Sequence, residues 1–76
     1  MIRVIALSFD LPRNKPSLRV KVWRELQKIG AERRSGSYWT LPFSERNLAD
    51  FKSIYKEIIQ NDGRAEIIVG EVYGKK

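Results

Sequence analysis

The chain has 76 residues, 42% hydrophobic and 32% charged, with a net charge of +6, which suits one compact domain over residues 1–76 and is too short for two. It contains neither cysteine nor histidine, which excludes a disulfide framework, thiolate and imidazole metal sites, and Ser-His-Asp or Cys-His catalysis; any chemistry rests on carboxylates and cations. The missing cysteines fit a reducing cytoplasm, and the positive field draws polyanions, nucleic acid foremost.

The first segment, "IRVIALSF" (Ile2 to Phe9), is rich in β-formers and apolar in both alternating sets, Ile2, Val4 and Ala6 against Ile5, Leu7 and Phe9. A strand of that kind is covered on both faces, so it is expected inside its sheet. Arg3 and Asp10 interrupt the apolar run well short of a membrane span or a signal peptide. "DLPRNKP" follows, with two prolines and Asn14, and reads as a loop.

From about Ser17 the pattern turns helical. Leu18, Val22, Leu26 and Ile29 share one stripe, and Gly30 supplies the stop. At about 100° per residue, Lys21, Arg24 and Lys28 form a second, basic stripe, while Arg19 lies beside Trp23 on the far flank. "AERRSGSYWTLP" then predicts two short strands about Ser35 and Gly36, ended by Pro42. Trp39 is expected to pack under a helix, with Tyr38 on the other sheet face and Trp23 at the edge of the core.

Ser44 stands where a helix N-cap belongs, with Glu45 in the first turn. The second helix is predicted to run to about Gln60. It buries Leu48, Phe51, Ile54, Tyr55, Ile58 and Ile59 and leaves Arg46, Asp50, Ser53, Lys56, Glu57 and Gln60 solvated. "NDG" ends it, and "RAEIIVGEVY" supplies a last strand in which Ala65, Ile67 and Val69 alternate against Glu66 and Ile68. The tail, residues 74–76, is expected to be loose.

Strand, helix, strand, strand, helix, strand is the ferredoxin-like order: an α+β fold, βαββαβ, with a four-stranded antiparallel sheet and both helices on one face. The second sheet face is then apolar and uncovered, and a second copy of the chain is its economical cover, so a homodimer is expected.

The segments "RVKVWRELQKIGA" and "GSYWTLP", with the spacing between them, resemble the N-terminal domain of ChrB, the chromate-resistance regulator. That family shows a basic helix with an Arg-x-x-x-Trp-Arg-x-Leu core, a Gly-Ala exit, an aromatic strand ending Leu-Pro, and a second helix closing near paired glycines. Arg19, Trp23, Arg24, Leu26, Gly30, Ala31, Leu41, Pro42 and Gly63 match, and Asp62 stands in the place of the first glycine. The same body is similar to the small CRISPR-associated endonuclease subunit of the spacer-integration complex and to the matching domain of the phenylacetate repressor PaaX. In the CRISPR family the first strand ends in an aspartate, a position that Asp10 occupies here, and a homodimer carries duplex DNA on basic surfaces.

These resemblances imply a dimeric, non-catalytic module, regulatory in role, that holds duplex DNA backbone. Arg19, Lys21, Arg24, Lys28, Arg33 and Arg34 are the expected contacts, with Arg33 and Arg34 facing opposite ways along their strand. Two alternatives stand beside this reading. One is a metal-dependent nuclease with Asp10 as ligand, the only case that brings in Mg²⁺ or Mn²⁺; otherwise no cofactor and no small-molecule substrate is expected. The other is a protein-interaction domain. The plain reading of Asp10 is a cap on the turn before Leu11 and Pro12 or on the helix beyond, and that of the cations is an ordinary solvated face.

Overall fold

A computed structural model describes residues 2–73, so the tail at 74–76 lies outside the described residues. Strand β1 (Ile2–Asp10) leads to helix α1 (Pro16–Lys28), strands β2 (Glu32–Ser35) and β3 (Tyr38–Pro42), helix α2 (Glu45–Gln60) and strand β4 (Arg64–Val72). The sheet order is β2-β3-β1-β4, with every neighbouring pair antiparallel. This is the ferredoxin-like α+β fold, and β1 is internal to its sheet. Among the described residues no helix is long and apolar enough to cross a membrane.

The alternation of β1 decides what each face becomes. Ile5 and Leu7 are fully buried and belong to one cluster with Leu18, Val22 and Leu26 of α1 and Phe51, Ile54 and Ile58 of α2, so they lie beneath the helices. Their alternates Val4 and Ala6 stand in register with Pro42, Thr40, Ile68 and Gly70 and share the opposite face. There the larger side chains Ile2, Tyr38 and Ile68 are exposed.

Both helices end in the same six-residue motif. After α1, Gly30 (φ +81°) donates its N–H to the Gln27 carbonyl and Ala31 to that of Leu26. After α2, Asp62 (φ +69°) and Gly63 do the same to Ile59 and Ile58. This is a Schellman closure, whose left-handed position suits glycine and tolerates aspartate. A Cβ on Gly63 would lie 2.6 Å from Ile58 Cγ2 and 3.0 Å from the Asp10 carbonyl oxygen, so Gly63 is required by close approach. At the other end of α2, Ser44 accepts the Asn47 N–H at 3.0 Å, the expected N-cap.

Several details depart from the sequence-based expectations. Strand β1 continues through Asp10, one residue beyond Phe9. Ile59 is exposed and Glu57 is half-buried, the reverse of the assignment from periodicity. The stripe of α2 centres on Phe51, Ile54 and Ile58, which leaves Ile59 on the outer flank and turns Glu57 toward α1. Val69 is also exposed, because β4 is an outer strand. The loop before α1 is tied down: Lys15 Nζ donates to the Asn61 carbonyl at 3.1 Å and meets Asp62 Oδ2 at 3.3 Å. A cation thus sits at the negative end of the α2 dipole.

Gly63→Ala is expected to lower unfolding free energy by about 1–3 kcal/mol, the usual cost of overpacking, read as a lower urea midpoint at unchanged slope.

Candidate nucleic-acid interface

Helix α1 carries its core stripe on one side and presents Arg19, Val20, Trp23, Arg24 and Gln27 along a shallow groove on the outside. Val20 is 49% and Trp23 36% exposed. The Trp23 ring meets Trp39 edge-on, with centroids 5.1 Å apart and planes at 89°, while Trp39 is buried. Trp23 therefore sits at the core edge, as expected, and links the outer surface to the interior. Such a contact adds about 0.5–1.5 kcal/mol beyond area burial.

The structure separates the predicted contact residues into distinct environments. Arg33 pairs in register with Trp39 and stands on the helix side of the sheet, its guanidinium 4.8 Å from the Trp23 ring centroid. Its Nε donates to the Gly36 carbonyl at 3.1 Å. Arg34 takes the other face, where its Nε donates to Thr40 Oγ1 at 3.0 Å and its Nη2 lies 3.4 Å from Glu32 Oε1. Arg34 therefore does not join the α1 surface. Arg19, Arg24 and Lys28 form no salt bridge among the described residues.

Lys21 is also withdrawn from the basic stripe, because its Nζ pairs with Glu57 of α2. Glu25 completes a cluster across the helix interface. Burial, followed by the hydrogen bond and negative charge of Glu57, pushes the Glu25 carboxyl above its ordinary range, against the opposing charges of Lys21 and Lys28. Glu57 is held below that range by hydrogen bonds from Glu25 and Lys21, and Lys21 is raised in return, chiefly by its bond to Glu57. Glu25 Oε1 is buried with no hydrogen-bond partner among the described residues, and two carboxyl groups hydrogen-bond to each other only when one of them carries a proton.

Asp10 ends β1 directly across from Arg64 and is exposed. Its side chain accepts no hydrogen bond among the described residues, and the N-cap position of α1 is Lys15 without a side-chain cap, so the capping reading of Asp10 is not realised. No group of three or more acidic side chains that could hold a metal ion occurs among the described residues. A lone carboxylate facing an arginine does not fit a two-metal site within one chain. What sequence reasoning missed here is the stacking of Arg33 on Trp23. The signal was the hairpin register, which sets Arg33 opposite Trp39.

Comparison with known proteins decides the family. Residues 19–76 match the family model described as "Protein ChrB, N-terminal". The chain belongs to the ChrB N-terminal family. The match contains α1 from Arg19 onward, the aromatic strand and the closure at Gly63. The chain is also similar to the crystal structure of a hypothetical protein from Thermus thermophilus, with a TM-score of 0.62 and 24% identity over 97% of this chain and 85% of that one, a likeness of fold. No curated protein shows significant sequence similarity.

The carboxyl cluster gives a pH dependence with opposite signs in its two acids. Glu25, raised in the folded chain, contributes stability below the ordinary carboxylate range and loses it as pH climbs through its raised value; Glu57, depressed, contributes above that range and loses it as pH falls through its depressed value. Glu25→Gln keeps a neutral donor at every pH. It is expected to raise the melting temperature near neutral pH, with the gain closing in acid, as read from thermal melts over that range.

Proposed function

We propose that this ChrB N-terminal family chain is a dimeric nucleic-acid-binding module that grips duplex backbone through the outer side of α1 and the helix-facing side of β2. The observation that carries the reading is the set Arg19, Arg24, Lys28 and Arg33, exposed cations of α1 and β2 that form no salt bridge among the described residues, Lys28 alone having an acid, Glu25, within reach of its charge, in a chain of net charge +6. Cations of this kind contact phosphates and release counterions. They give affinity with little choice of sequence. Lys21 and Arg34 have a smaller part, since each is engaged by an acid.

The uncovered sheet face supports the dimeric part of the reading. Ile2, Tyr38 and Ile68 are exposed there around the smaller Val4, Ala6 and Gly70, an apolar surface that a second copy can cover by two-fold symmetry. Val20 and Trp23, apolar in the middle of the basic side, favour a second reading in which that side binds an acidic protein. Hydrolysis through Asp10 requires two copies brought together in a dimer, and the basic surface does not depend on it.

Binding to a short duplex is expected to fall with rising salt, log K declining against log salt by about 0.9 per phosphate contacted. The double change Arg24→Glu and Lys28→Glu should weaken it by about tenfold or more. Filter binding or fluorescence anisotropy reads both. Absent or salt-insensitive binding overturns the nucleic-acid reading, and capture of one acidic protein under the same conditions favours the second.

For the dimer, sedimentation of the wild-type chain should give twice the chain mass, and Ile68→Glu should give a folded monomer. A wild-type monomer at micromolar concentration overturns it.

A further inference from the structure

A cleft of about 210 Å³ opens between the end of β1, the first turns of α1 and the β2–β3 turn, lined by Phe9, Asp10, Leu11, Arg19, Trp23, Arg33, Gly36 and Ser37. It brings Arg19 of α1 and Arg33 of β2 together beside Asp10 at the end of β1. Arg33 is fixed there by two contacts that leave its charge uncompensated, the face of Trp23 and the Gly36 carbonyl. Only Nε is used in the second, so both terminal nitrogens remain free to donate. Arg19 forms no salt bridge among the described residues, and Ser37 adds a hydroxyl at the rim.

We infer that this cleft is a phosphate site, with Arg19 and Arg33 as its ligands, Trp23 as the residue that positions Arg33, and Asp10 setting its charge. The inference rests on the nucleic-acid reading for the source of the phosphate and names the point of contact. Asp10 reaches the cleft from the end of β1 with Arg64 across from it, so the two guanidiniums leave the cleft net positive, the sign that a phosphate group takes. Arginine presents the planar pair of donors that a phosphate takes in bidentate fashion. A guanidinium already held by a ring and a carbonyl loses less freedom on binding than a mobile one. Trp23 has one side covered by Arg33 and its edge engaged with Trp39, so its part in binding is to hold Arg33.

This assignment gives Asp10 a role opposite in sign to that of a metal ligand. Removing its charge should strengthen anion binding. A hydrolytic centre would lose activity with the same change.

The test measures duplex affinity by anisotropy for the full chain and its variants, alongside titration with inorganic phosphate followed by the NMR signals of the Arg33 Nε–H and the Trp23 indole. Arg33→Ala is expected to weaken duplex binding by about tenfold and to lower the salt slope by about one. Trp23→Leu should weaken it by about threefold with the salt slope unchanged, because the charge is kept and only its placement is lost; Trp23→Phe should restore affinity. Asp10→Asn should tighten binding severalfold. Thermal melts of each variant separate loss of fold from loss of contact.

If the Arg19→Ala, Arg33→Ala double variant binds duplex as well as wild type, the phosphate site is overturned while the basic-surface reading stands. A chain that does not bind duplex at all overturns the proposed function. In that case phosphate-induced shifts at Arg33 that vanish in Arg19→Ala keep the cleft as a site for free phosphate, and no shift overturns it. Weaker duplex binding in Asp10→Asn overturns the part assigned to Asp10.

Discussion

A strand with apolar residues in both alternating sets must be covered twice, and this chain has helices enough to cover it once. Ile5 and Leu7 spend one set against Leu18, Val22, Leu26, Phe51, Ile54 and Ile58. The other set, Val4 and Ala6, lies on the face without helices, between its cross-strand neighbours Thr40, Pro42, Ile68 and Gly70. Because side chains alternate strictly along a strand, a slip of one residue would exchange the two sets and lose the helix-side packing. The register of β1 against β3 and β4 therefore carries the core, the placement of both helices, and the position of the apolar face.

The basic side follows from the same register. Antiparallel pairing of β1 with β3 places Leu7 against Trp39, and pairing of β2 with β3 places Arg33 against Trp39 in turn. Trp39, buried beneath α1, gives Trp23 an edge to lean on, and Trp23 gives Arg33 a surface to lie on. A chain of contacts thus runs from the interior of the sheet to a guanidinium at the surface. Rigid placement of that kind separates a surface able to fix a ligand from one that is merely charged.

Element order, the internal place of β1, the α1 stripe, the Ser44 cap and the turn near Gly36 were all legible in the sequence, because each depends on period, on a stop residue or on a local cap. The ChrB N-terminal family was legible as well, from the helix and strand spacing. What was not legible depended on contact between elements distant in the chain. Glu57 looked solvated on a helical wheel and is drawn in by Lys21 and Glu25 of α1. Lys15 reads as part of a loop in the sequence, and it is held by the end of α2. Asp62 appeared to depart from the family's glycine pair, yet it takes the same left-handed conformation as Gly30. The pattern records a backbone shape that more than one residue can supply.

Strand β2 is only four residues long, and its two central side chains point through opposite faces of the sheet, Arg33 toward Trp23 and Arg34 toward Thr40. The register also shifts between Arg33 and Ser35, so the pairing is irregular at that point. A short outer strand with a bulge is the least constrained part of a sheet. Any rigid translation of β2 relative to β3 moves both guanidiniums together, because one peptide unit separates them. The anchoring of one arginine and the lodging of the other thus share one short piece of backbone, spanning the sheet from its roofed side to its bare one.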